Sequence, residues 1–521
     1  MRIARVKVDS FKNLQDFEIK LDSNAAVSVL VGRNGSGKSN LLEALTIIFR
    51  DIDLGRRPDF GFELDYSIKG NEVSIISKKS KSGHSVSCRV NGRVISFTKF
   101  SGVEGREFRP QHIFGYYSGP SNRLEEHFIP HQERFYKDLL DDIERPLRPL
   151  FYARNVHSHF VLLAFFLDED PVVMQLLRDH LGIEGLDSVL FEMQKPSWDG
   201  KNGDERFWNA RGTVRALLDR LYSLSLAPMR LERKVRTGLS RSSQTEHLYL
   251  YLDSLAKVRE LRSAYTSHGD FFKALESTYI SELIHDVRIR VKTSRSSSSL
   301  TFRELSEGEQ QLLLVLGLMR FTREDESLFL LDEPDTHLNP AWSVQYRKFL
   351  NDFGGLDDGC HVLMATHDPL VVAGLRKEDV RILQRHDDGQ ISAVEPSDDP
   401  QGMGVGALLT SDVYGLRSQL DLETLEKLDE KRHLASLPDT QLSPEDKERL
   451  NLLGNELRHL GLLMEDRDPE FQEYLKAKSM SRERSKPIVF TQEELQENLE
   501  VAQAVLDEIG DQEDLNPGGL S

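Results

Sequence analysis

The sequence predicts an α/β protein built around a mixed, mainly parallel sheet with an antiparallel β-meander beside it, and three observations carry that prediction. A strand, a glycine-rich loop and a helix follow one another across residues 27–50. Two unbroken apolar runs, SLFLLD (327–332) and HVLMAT (361–366), have the length and continuity of strands buried on both faces of a parallel sheet. Residues 62–98 alternate apolar and polar positions, and Gly70-Asn71 and Asn91-Gly92 sit between runs where a hairpin needs positive backbone angles.

Each element can be justified in chain order. RIARVKV (2–8), FEIKL (17–21) and AVSVLV (26–31) read as three strands. After the loop at 32–37, Leu41, Leu42, Leu45, Ile48 and Phe49 recur at helical spacing and bury one face. From about 131 to 285 the periodicity is helical, as in FVLLAFFL (160–167) and TVRALLDRLYSL (213–224), with no internal repeat and no sustained heptad, which predicts a helical insert. The serine-rich TSRSSSSL (293–300) reads as a connection before strand and helix alternation resumes as far as residue 395. The last 120 or so residues read as polar helix: Ser443-Pro444 with Asp446, and Thr491 with Glu494, are helix starts. Leu450, Leu453, Leu457 and Leu460 form a narrow seam suited to a helical hairpin or a partner helix. The expected segments are an N-terminal lobe at 1–140, the helical insert at 141–295, a second lobe at 296–398 and an acidic helical extension at 399–521.

Composition limits the function classes. With 521 residues, 39% hydrophobic and 29% charged, the chain has material for two or three domains and a sizeable core. MRIARVKVDSFKN contains no apolar leader core and no stretch approaches 18 apolar residues, so the cytoplasm, with no membrane partner, is the expected location. Cys88 and Cys360 lack neighbouring Cys or His at metal spacing and are expected to be buried and inert. The net charge of −18 is uneven: residues 401–521 hold 26 acidic and 13 basic groups, against 59 and 54 before them. A near-neutral body leaves room for a basic groove facing DNA or RNA. RLERKVR (230–236) and RIRVKTSR (288–295) are candidates for it, and ordinary solvated charge is the alternative.

The chemistry is concentrated in four short stretches. GRNGSGKS fits Gly-x-x-x-x-Gly-Lys-Ser, a Walker A loop, at Gly32, Gly37, Lys38 and Ser39 between a strand and a helix. Asn34, Gly35, Ser36, Gly37, Lys38, Ser39 and Asn40 would cradle phosphates through backbone N–H groups and the helix N-terminus, with Lys38 on the β- and γ-phosphates and Ser39 on magnesium. Asp332 and Glu333 follow SLFLL at the carboxyl end of a strand, where the first carboxylate would hold the metal and the second polarise the attacking water. His367 ends the next strand, placed to sense the γ-phosphate and orient Glu333. LSEGEQQ (305–311) is at least a capping box, since Ser306 and Glu309 have its spacing.

Walker A, a Ser-x-Gly helix start, a Walker B Asp-Glu and a strand-end histidine in that order resemble the ABC-type ATPase superfamily. The resemblance implies ATP and Mg2+ as cofactors, Glu333 and His367 as catalytic, Asp335 in the D-loop, and Ser306, Glu307 and Gly308 as a signature that binds the nucleotide of another protomer. LSEGEQQ, SFKNL (10–14) and EPDTHLNP (333–340) look more like the RecF, SMC and overcoming-lysogenization-defect branch than like transporters. No long coiled coil fits the insert. Asp466 and Asp468 match only one part of a TOPRIM metal site, in a region read as helical. What remains resembles the Septu and retron-associated antiphage defence ATPases, which implies a homodimer or higher homo-oligomer and an HNH-type partner nuclease from the same operon. A RecF-like repair clamp is the rival reading and a transporter subunit a distant third. The resemblance also implies a magnesium-coordinating glutamine early in the insert, for which Gln111 and Gln132 are both candidates, and it usually places serine where Asp368 stands.

Overall fold

The computed structural model describes residues 1–80, 83–141, 143, 148–166, 170–198, 203–236, 242–294, 299–321, 326–354, 359–438 and 441–460. It divides into one unit at Met1–Glu395 and a second at Pro396–Ser521.

The N-terminal part of the first unit supplies β1 (Arg2–Phe11), β2 (Leu14–Lys20), β3 (Val27–Val31), β4 (Phe62–Ile68), β5 (Asn71–Ser80), β6 (Gly83–Val90), β7 (Arg93–Ile95), β8 (His112–Tyr117) and β9 (Leu150–Tyr152). The middle adds β10 (Ile183–Gln194), β11 (Met229–Arg236), β12 (Ser242–Leu252), β13 (Ile284–Thr293) and β14 (Leu300–Thr301). The chain returns with β15 (Ser327–Asp332), β16 (Cys360–Ala365), β17 (Val380–Arg385) and β18 (Ile391–Val394).

These strands form three sheets. The central one runs β18-β17-β3-β16-β15-β8-β9, parallel throughout except for its β18 edge. Every residue of β3, β15 and β16 is buried, as a continuous apolar run in the middle of a parallel sheet requires. The second sheet is the meander, β2-β1-β4-β5-β6-β7, antiparallel throughout. Helix Lys38–Asp53 is covered from both sides: Leu41, Leu45, Ile48 and Ile52 share one core with Val6, Phe62 and Leu64 of the meander and with Leu330 and Leu363 of the central sheet. That double burial anchors the loop at its N-terminus.

The insert corrects the prediction. It is not all helix, because β11-β12-β10-β13-β14 make a third, antiparallel sheet. The predicted helices Asn155–Phe165 and Gly212–Leu224 are present, but IHDVRIRVKT (284–293) buries alternate residues as a strand does. A buried ionic cluster lies where the insert meets the central sheet. Glu276, fully buried in helix His268–Ile280, receives Arg148 at 2.7 Å and His157 at 2.8 Å, and His157 belongs to helix Asn155–Phe165. Cys88 and Cys360 are buried thiols in no disulfide, and burial pushes them up to about 12 and about 11, so they are unreactive at neutral pH.

In the second unit, helices Leu422–Ser436 and Pro444–His459 pack as a hairpin. Leu453 and Leu457 are buried against this partner, while Leu460 stays 58% exposed. Arg449–Glu430 and Lys427–Glu456 pairs flank the seam. Asp466, Asp468 and the helix start at Thr491 lie outside the described residues, as do residues 295–298 of the serine-rich connection.

Candidate functional site

Because β16 pairs in parallel with both β3 and β15, the carboxyl ends of the three strands lie side by side. From β3 hangs the glycine-rich loop, with positive φ at Gly32 (147°), Gly35 (81°) and Gly37 (95°). A Cβ at Gly32 would sit 2.3 Å from the Leu383 carbonyl oxygen, so β17 leaves no room for one. Gly37 caps the helix without a side-chain bond, which leaves its first N–H groups available to an anion. The loop is braced from β1–β2: Asn13 donates to the Gly35 carbonyl at 2.8 Å and receives Asn40 at 2.6 Å. Asn34 and Gly35 are exposed at the loop tip.

Lys38 is folded back under the loop, donating to the Gly32 carbonyl at 2.7 Å. Burial lowers it to about 8, against the pull of Asp332 and Glu333. A phosphate replacing those carbonyls would restore its charge. Asp332 is 2% exposed, and burial holds it above the ordinary carboxylate value although Ser39, Arg123 and Lys38 oppose that. Its Oδ1 and the hydroxyl of Ser36 are buried with no hydrogen-bond partner among the described residues. An orphaned carboxylate oxygen beside Ser39 fits a magnesium ion, and an orphaned hydroxyl inside the loop fits a phosphate.

Glu333 has φ 54°, a left-handed conformation that costs a non-glycine residue about 1–2 kcal/mol. Its amide donates to Ala365 at 2.8 Å, which turns the chain out of β15 and leaves the carboxylate half-buried at the strand end. Oε1 lies 3.7 Å from Nε2 of His367, too long for a hydrogen bond but close enough for charge to be felt. Burial and Lys38 lower His367, so its imidazole is neutral at neutral pH. Asp368 caps the next helical turn, its side chain accepting from the Leu370 amide at 2.8 Å. Asp335 is buried and accepts from the Thr366 hydroxyl, and burial raises it to about 7.

Ser306 is exposed and does form the capping box: its hydroxyl donates to Glu309 at 3.0 Å and accepts from the Glu309 amide at 3.3 Å. Gly308 packs under the loop after Glu333, where a Cβ would lie 2.3 Å from the His337 carbonyl oxygen. Glu307 is exposed, 3.4 Å from His337. The two candidate glutamines lie at different places in the fold. Gln111 immediately precedes β8, the end opposite the phosphate loop, and Gln132 accepts from Arg154 at 3.2 Å in helix Ile129–Leu140. The segment leaving the carboxyl end of β8 carries Arg123, which reaches Asp332 at 3.5 Å and lies over the Tyr117 ring. Sequence reasoning missed it because no spacing rule ties an arginine in a loop to a strand-borne carboxylate.

Family comparisons divide the chain in the same way. A family described as "AAA ATPase domain" matches residues 1–85, and one described as "AAA domain, putative AbiEii toxin, Type IV TA system" matches residues 215–373. The two matches cover the Walker A loop and the signature, Walker B and strand-end histidine respectively. The strand order, the phosphate loop and these two matches give the chain an ABC-type P-loop ATPase fold. Among curated proteins the chain is similar to the Septu protein PtuA of Bacillus mycoides (strain KBAB4), 26% identical over 187 residues. That match takes in 33% of this chain and spans only about a quarter, 26%, of the relative's length. Among solved structures, the SMC head bound to the C-winged helix domain of ScpA superposes with TM-score 0.35 at 12% identity, over 76% of this chain and 97% of that one. The SMC head with an extended coiled coil, bound to the C-terminal domain of ScpA from Pyrococcus furiosus, gives 0.33 at 14%, over 76% and 96%. At these scores the superpositions add nothing to what the strand order and site geometry show. No described helix of the ATPase is long and apolar enough to cross a membrane.

Arg123 pairs with Asp332, the carboxylate expected to hold the metal, so the arginine and a divalent cation would compete for it. Arg123→Ala is expected to lower the magnesium concentration needed for half-maximal ATP binding, by at most about fivefold, because a partly exposed pair is worth no more than about 1 kcal/mol. A titration of nucleotide binding against magnesium measures this. A higher requirement in the variant would mean that Arg123 assists the phosphates instead.

Proposed function

We propose that the chain binds and hydrolyses ATP, dimerises around two sandwiched nucleotides, and controls a separate HNH-type nuclease acting on nucleic acid in antiphage defence. The observation that carries the ATPase part is the convergence of Lys38, Ser39, Asp332, Glu333 and His367 at three adjacent strand ends, with unsatisfied Asp332 and Ser36 oxygens among them. The similarity to the Septu protein PtuA supports the defence role.

Lys38 leaves the Gly32 carbonyl for the phosphates, and the backbone N–H groups after Gly37 hold them at the helix N-terminus. Ser39 and Asp332 would hold magnesium, whose charge offsets that developing on the transferred phosphoryl group. Glu333 takes the proton of the attacking water, and neutral His367 beside it donates its one N–H toward the terminal phosphate. Ser306 offers its hydroxyl to a second protomer's nucleotide in exchange for Glu309.

Mixing two defective chains tests the shared site. Ser306→Asp keeps a good helix cap but sets a carboxylate against the γ-phosphate, and Lys38→Ala empties the cradle. If sites are composite, a heterodimer of the two has one doubly damaged site and one intact, and ATPase activity absent from each variant alone reappears at up to about a quarter of the wild-type level when the chains assort at random. Heterodimer formation is verified first by differently tagged chains. Full activity of Ser306→Asp alone would show that the serine only caps its helix.

A further inference from the structure

Of the two basic stretches singled out in the sequence, 230–236 lies in β11 and 288–293 of the second lies in β13, and these strands are not neighbours in the third sheet. Their side chains nevertheless meet. Glu192 of β10, fully buried, accepts from Arg233 at 2.6 Å and from Arg288 at 3.0 Å, drawing both guanidinium groups over one face of the sheet. Asp286 does the same for Arg288 at 2.9 Å and for Arg303 at 2.6 Å. Arg233, Arg288, Arg303 and Asp286, together with Lys234, His247 and His285, line an open cleft of about 450 Å³ above Glu192.

Four features separate this cleft from ordinary surface charge. Arg233, Lys234, Arg288 and Arg303 outnumber Glu192 and Asp286 by two in a chain of net charge −18. The arginines are held in place by buried carboxylates, yet 52%, 44% and 62% of the side chains of Arg233, Arg288 and Arg303 remain exposed, so they keep donors free for a ligand. His247 lines the cleft, is fully buried, and its Nε2 has no hydrogen-bond partner among the described residues. Finally, Met229 and Leu231 are 52% and 49% exposed and alternate with Arg233 along β11, so apolar surface adjoins the cations on the same strand face.

We propose that this cleft binds the sugar-phosphate backbone of a single-stranded nucleic acid. Arginine forks recognise phosphate oxygens in pairs, and Met229 and Leu231 give a neighbouring base an apolar surface that an inorganic anion would not use. The volume suits one nucleotide unit rather than a duplex. The assignment goes beyond control of a nuclease and does not depend on one, since the cleft belongs to this chain alone.

The test uses the full chain carrying Lys38→Ala, so that nucleotides do not report the Walker A site. Fluorescence anisotropy is followed with a labelled 20-nucleotide single strand, as DNA and as RNA, and with a duplex of the same sequence, at two salt concentrations. Adding Lys234→Glu and Arg303→Glu, which spares the Arg233 and Arg288 pairs to Glu192, is expected to weaken single-strand binding at least tenfold and to flatten its salt dependence. Unchanged thermal melting shows that the sheet is intact; should that variant melt early, Lys234→Ala with Met229→Ser is measured instead and is expected to weaken binding at least threefold. Undiminished binding in the intact variants would overturn the proposal. So would tighter binding of duplex than single strand, or competition by millimolar inorganic phosphate or AMP as effective as that by an unlabelled strand at equal phosphate concentration.

Discussion

Glu333→Gln is expected to hold ATP as tightly as the parent chain and to hydrolyse it roughly 10²–10⁴-fold more slowly, the range attributed to a positioned general base. The amide keeps the size of the carboxylate and leaves the Ala365 bond, which is made by the backbone, in place. It cannot take the proton of water. Single-turnover hydrolysis with pre-bound ATP isolates that step from nucleotide exchange. Lys38→Ala provides the contrast: it should lose ATP binding itself, because the residue contacts the loop carbonyls that the phosphates would replace and nothing else in the site supplies a buried cation. Parental hydrolysis in the glutamine variant would remove Glu333 from the base role and direct attention to His367, 3.7 Å away.

The second large effect concerns folding. Glu276→Leu should cost about 3–5 kcal/mol, because it leaves Arg148 buried as an unpaired charge. The companion double variant, Arg148→Met with Glu276→Leu, should recover most of the loss, since an apolar pair removes the desolvation penalty of both ions. Chemical denaturation of the three chains decides it, and a double variant no better than the single would mean that the cluster contributes more than its ion pair. The same carboxylate sets an acid limit. Despite burial, His157 and Arg148 hold Glu276 down to about 2, below its unfolded value of 4.5. A depressed folded value stabilises the native state above about pH 4.5, and that contribution disappears as pH falls through about 2.

Where a short pattern carries a single chemical demand, the sequence was sufficient. The glycine spacing of the phosphate loop, the unbroken apolar runs of β15 and β16, and the hairpin signals of the meander each admit one local structure, and each forms. The third sheet was harder to read, since helix 155–165 precedes it, helix 212–224 lies between β10 and β11, and both dominate a long averaging window. A shorter window over 284–293, with alternate residues buried, would have found β13. The convergence of Arg233, Arg288 and Glu192, like that of Arg123 and Asp332, joins residues 96 positions or more apart in the widest pairs, and only tertiary pairing across β10 or β15 brings them together. The hairpin of the second unit resolved an ambiguity the leucine seam left open, because Leu453 and Leu457 found their partner within the chain.

The packing of Gly308 bears on timing between sites. With the His337 carbonyl where a methyl group would be, and with Gln311 of the same helix donating to the Glu333 carbonyl at 3.4 Å, the signature helix and the turn carrying the catalytic carboxylate are fastened into one strut. Such a strut cannot adjust one end and leave the other at rest. If Ser306 grips a neighbour's nucleotide, the loss of a phosphate beside Glu333 would be felt at the opposite site, so the state of one pocket of a dimer would bias the other without being required for its turnover.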